Sequence, residues 1–70
     1  MLMSRLAVRR TIKSLLRAMF RAFDSGFVIG ALVLARHLES VASAHGWRNV
    51  CEFARGAIHA FEDIARETFR

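Results

Sequence analysis

Proline and tyrosine are absent from this chain, and in 70 residues glycine occurs only four times and cysteine once. Without proline, and with so little glycine, a turn-rich β architecture is excluded. The 54% apolar content excludes a disordered tail or a linker. A single cysteine cannot close a bridge within the chain, so a reducing, cytoplasmic setting is the simpler expectation. The longest uninterrupted apolar run, residues 26–35, spans ten residues, whereas a bilayer needs about 20. Arg21 and Asp24 upstream, with Arg36, His37 and Glu39 downstream, close that run off, each being expensive in hydrocarbon. Acid is missing altogether from residues 1–23.

What is present bounds the rest. At 7.9 kDa the chain holds one domain, which excludes a two-domain enzyme. A chain this short buries only about 60% of its unfolded surface, yet it carries 26 large apolar side chains. A second copy or another surface is therefore expected to cover part of them. The expected architecture is all-α, a compact three-helix domain made of a helical hairpin and a basic N-terminal helix, and oligomeric.

The net charge of +5 conceals an asymmetry. Arg5, Arg9, Arg10, Lys13, Arg17 and Arg21 give the first 23 residues +6, while everything from Asp24 onward sums to −1. Ten arginines against one lysine suit planar, bidentate contacts, although a GC-rich genome explains the ratio equally well.

Hydrophobic periodicity places the first helix over about residues 4–23, with Val8, Ile12, Leu15, Leu16, Met19 and Phe23 on one side and Arg10, Lys13, Arg17 and Arg21 on another. Arg5 and Arg9 drift toward the apolar stripe, which should loosen the first turns. Asp24 or Ser25 is expected to N-cap a second helix over about 27–44, with a continuous helix bent at Gly26 as the alternative. In this second helix Phe27, Ala31, Leu34, Leu38, Val41 and Ala42 form one stripe. Ile29, Leu32 and Val33 form a second apolar face, and Arg36, Glu39, Ser40 and Ser43 face water. Gly26 and Gly30 spell GxxxG, read as close helix packing. Gly46 is expected just past the helix end, left-handed, after His45.

The third helix, over about 50–69, begins at a capping-box-like Asn49 and Glu52. Its apolar half carries Val50, Phe53, Ala54, Ala57, Ile58, Phe61, Ile64, Ala65 and Phe69, with Phe53 and Phe61 expected in the core. Its polar half includes a Glu62–Arg66 pair at i,i+4 and His59 near Asp63.

Chemistry is sparse. Zinc wants paired ligands at short spacing, and Cys51, His37, His45 and His59 do not provide it, so no metal or cofactor is expected. Cys51 reads as a small half-buried hydrophobe and His37 as a helix-boundary polar residue. No nucleophile has an evident base, Glu62 and Asp63 point apart on a wet face, and no glycine loop cradles phosphate, so no enzyme is expected. The basic N-terminus imitates a mitochondrial presequence, and the run before Ala42-Ser43-Ala44 imitates a secretory signal, but Arg36 and Glu39 interrupt the latter.

The sequence leaves three function classes. The first is a stoichiometric protein partner (a regulator, inhibitor or assembly factor) with an acidic surface that meets the basic face of Arg10, Lys13, Arg17 and Arg21. On this reading Ile29, Leu32, Val33, Trp47 and Phe69 are candidates for self-association. The second is a membrane surface or the accessory subunit of a membrane complex, reached through the cationic amphipathic helix. The third is non-specific nucleic-acid binding through helix one, which is disfavoured because the later, recognition-type helix is mildly acidic.

Overall fold

The computed structural model describes residues 4–68 as three helices, α1 (Arg5–Asp24), α2 (Val28–Ala44) and α3 (Arg48–Thr68). Good helix formers fill all three and proline interrupts none of them. The expected boundaries hold to within about two residues. Phe69, offered above as an interface residue, lies outside the described residues.

Both interhelix turns are the same device. Helix α1 ends with Gly26 at φ +82°, the Gly26 N–H donating to the Phe23 carbonyl (3.0 Å) and the Phe27 N–H to the Ala22 carbonyl (2.8 Å). Helix α2 repeats it: Gly46 at φ +73° donates to Ser43 (3.3 Å), and Trp47 donates to Ala42 (2.8 Å). This is the Schellman arrangement, in which a left-handed residue lets the chain turn back and satisfy the last carbonyls. At each turn the following residue is aromatic.

The first turn corrects several expectations. Asp24 is the last residue of α1, and the Ser25 hydroxyl donates backward to the Ala22 carbonyl (3.0 Å), so neither caps α2. Phe27 occupies that cap position with no side-chain hydrogen bond. The turn separates α1 from α2, which removes the continuous-helix alternative. Gly26 and Gly30 do not mark helix–helix contact: Gly26 is exposed in the turn, and a Cβ at Gly30 would run into the ring of Phe27. The start of α1, expected to be loose, carries a side-chain cap: the Ser4 Oγ accepts from the Ala7 N–H (3.1 Å). Helix α3 begins at Arg48, which places Asn49 inside its first turn and not at the cap.

Helix α2 lies between the other two. Its buried stripe, Ala31, Ala35, Leu38 and Ala42, is fully shielded. Val8, Ile12 and Met19 of α1 close on it from one side, and Ala54 and Phe61 of α3 from the other. Alanines let the helices approach closely, and only Met19 and Leu38 are large and fully buried. Helices α1 and α3 pack on α2 but nowhere bring Cα atoms within 8 Å of each other. The result is an elongated body, 43 × 20 × 18 Å, with a radius of gyration of 12.5 Å against about 11 Å for an average domain of this length.

Candidate interaction surface

Charge is partitioned between the helices. Arg36 of α2 bridges to Glu62 of α3 at 3.2 Å, and Arg55 of α3 to Glu39 of α2 at 3.5 Å. On α3 itself, Arg66 lies 3.7 Å from Asp63 and the His59 ring 3.7 Å from Glu62. The expected pairing is thereby revised: Glu62 reaches across to α2 instead of along the helix to Arg66, and His59 lies by Glu62 instead of Asp63. Arg36 faces water as expected and Glu39 in part, their side chains 61% and 33% exposed, and both also reach across to α3.

None of these pairs involves α1. Arg5, Arg9, Arg10, Lys13, Arg17 and Arg21 are all exposed, and none has an ion pair among the described residues. Helical spacing puts Arg10, Arg17 and Arg21 on the side of α1 opposite Val8, Ile12 and Met19, with Lys13 turned toward α3. The four residues expected to form the basic face therefore do share an exposed surface.

Between α1 and α3 the surface is apolar. Phe20 meets Phe53 with ring centroids 6.3 Å apart, and Phe23 stacks on Phe61 at 5.2 Å. Phe61 is buried as expected, but Phe53 is 49% exposed, as is Phe20. Leu16, Phe20, Asn49, Val50 and Phe53 line a depression of about 310 Å³. Further along the same seam, toward the start of α1, Arg5, Leu6 and Arg9 surround Trp47. The sequence reading missed this seam, although one signal was visible: Phe20 sits among the cations of α1, off its apolar stripe.

The candidates for self-association separate. Ile29 and Val33 are exposed on the outer side of α2, and Phe27, whose ring covers Gly30, is exposed at its start. Leu32 and Trp47 are half-buried and pack against the core, so neither joins that patch. Leu32 lies about 60° around the helix from Ile29, enough to turn it inward.

Chemistry-bearing side chains do not gather. Among the described residues no group of three or more His, Cys, Asp or Glu is placed to hold a metal ion. Cys51 is buried, more deeply than the half-burial expected, and His37 is exposed in the middle of α2, not at a helix boundary. No helix of the described residues is long and apolar enough to cross a membrane. No family model matches the chain, and neither a curated protein nor a solved structure shows a significant match to it.

Proposed function

We propose that this protein acts by binding another protein stoichiometrically, as a regulator, inhibitor or assembly factor, with α1 laid against an acidic surface of its partner. The observation that carries this reading is the set of six exposed α1 cations with no ion pair among the described residues, where three of the four arginines of α2 and α3, Arg36, Arg55 and Arg66, are paired and Arg48 alone is not. Oriented charge of one sign steers encounter with a complementary surface. The area agrees. The molecule exposes 5290 Å², about 900 Å² beyond the roughly 4400 Å² typical of a monomer of its mass, and one side of a standard interface covers about 800 Å².

Lipid is less well served by this fold. Val8, Ile12 and Met19, which a surface-lying helix would bury among acyl chains, are occupied in the core.

The test places a photo-crosslinking residue at Ser14, exposed among the α1 cations, in cells that make the protein. The expected product is a discrete adduct with an acidic protein. In the variant carrying Arg10→Glu, Arg17→Glu and Arg21→Glu, with the crosslinking repeated in a low-salt lysate, that adduct falls by about 10- to 1000-fold, the range of electrostatic steering, while helicity is unchanged. Adducts to nucleic acid or lipid, or a protein adduct indifferent to the triple reversal, overturn the reading. Self-association through Phe27, Ile29 and Val33 is the second element of the proposal. Light scattering is expected to show a dimer that Ile29→Ser with Val33→Ser converts to monomer; a monomeric wild type removes this element.

A further inference from the structure

We infer that the seam between α1 and α3 is a docking groove for an amphipathic helix of another protein, one whose apolar stripe fills the groove and whose acidic edge lies along α1. The inference rests on the proposed function and specifies the partner's shape and chemistry.

The two walls are set apart by the fold. Since α1 and α3 each pack on α2 and not on each other, their facing sides meet only through large side chains, Phe20 against Phe53 and Phe23 on Phe61, and beside the first pair Leu16, Asn49 and Val50 complete an open apolar depression. Apolar groups are presented at two points along the seam: Leu6 with Trp47, flanked by Arg5 and Arg9, and then Leu16 with Phe20, Val50 and Phe53. From Leu6 to Phe20 along α1 is about 21 Å, the rise of roughly 14 helical residues. A helix of about four turns fits that length, and an amphipathic helix presents anchors at the i, i+3, i+4, i+7 spacing such a groove receives. With it in place the molecule becomes a four-helix arrangement, the usual way to cover two helices that share one open side.

Charge decides what the helix must be. Going around α1 from the groove, Leu16 is followed by Arg9, Phe20, Lys13 and Arg17, so the rim is cationic and aromatic together. An occupant with Glu or Asp along that edge pairs with the rim while its apolar face is buried. A second copy of this chain does not supply that edge. Its own net charge is +5, its six acids are divided among all three helices, and Glu39 and Glu62 are held in the ion pairs between α2 and α3.

The probe is a displayed library of 18-residue helical peptides with a varied apolar stripe and edges of either Glu or Lys. Binding is read by fluorescence of Trp47, the only tryptophan, at one end of the groove. Glu-edged peptides are expected to be enriched and to gain helicity when bound. Phe20→Ser with Phe53→Ser should weaken them about tenfold or more. Lys13→Glu with Arg17→Glu, a second variant that leaves the groove lining intact, should move the preference to Lys-edged peptides. Equal binding of a structureless 18-residue polyglutamate, or indifference to both variants, overturns the groove while leaving the cationic-helix reading standing. Failure of every acidic peptide, with binding instead to phosphatidylglycerol vesicles or duplex DNA, overturns both. A dimer that the Phe20/Phe53 variant dissociates assigns the groove to a second copy and overturns the inference.

Discussion

Leu38→Ala leaves most of the molecules unfolded at 37 °C. Leu38 is fully shielded, and the fully buried positions of the same cluster on α2 and α3 are Ala31, Ala35 and Ala54. Those side chains are too short to lean into the space a missing isopropyl group leaves, so the cavity stays open. Leu→Ala at such a site costs about 2–5 kcal/mol, and a core in a chain under about 70–80 residues rarely supplies more than about 3–5 kcal/mol in total. The loss therefore matches what is available. Far-UV circular dichroism against temperature is the check, with wild type and Phe53→Ala as references. Phe53 is half-exposed, so its truncation should cost about 1 kcal/mol or less in the absence of a partner. A Leu38→Ala protein that melts cooperatively within a few degrees of wild type would show that the core is not centred on α2.

The helices themselves were legible in the sequence because periodicity at 3.6 reports directly on which residues a helix buries. Val8, Ile12, Met19, Leu38, Ala54 and Phe61, each picked from spacing alone, are all buried. The left-handed Gly46 was legible for a similar local reason, since a glycine after a run of helix formers has few other uses. What escaped is what depends on two helices at once. Asp24 and Ser25 have the composition of an N-cap, and the equally local Schellman closure at Gly26 took precedence. Glu62 has an arginine four residues on, yet Arg36 of the neighbouring helix is better placed. Phe53 belongs to the apolar half of α3, but only the position of α1 leaves it half outside.

The same dependence explains the candidate surface. The cations of α1 could be named from the sequence, because nothing in the chain offers enough acid to neutralise them. The groove could not be named, because it exists only where α1 and α3 are held at the distance that the alanines of α2 dictate. Function on this reading sits in a gap between elements, and a single sequence describes elements better than gaps.

Ala35→Leu tests that geometry directly. Ala35 is fully buried on the side of α2 that packs into the core cluster, so three added carbons have no void to enter and must push a neighbouring helix away. Overpacking of this kind costs about 1–3 kcal/mol, which in a domain this small lowers Tm by roughly 4–8 °C for each kcal/mol. Leucine is a good helix former, so helicity at low temperature should survive while the melting temperature falls. Ala60→Leu, the same change on an exposed face of α3, should be nearly neutral and separates overpacking from composition. Displacing α1 or α3 from α2 also shifts Phe20 against Phe53 and alters the trough they line, so Glu-edged peptides should bind Ala35→Leu more weakly at a temperature where it is fully folded. Unchanged melting together with unchanged peptide binding would mean that the alanine stripe does not set the spacing of α1 and α3, and the physical origin assigned here to the groove would fall.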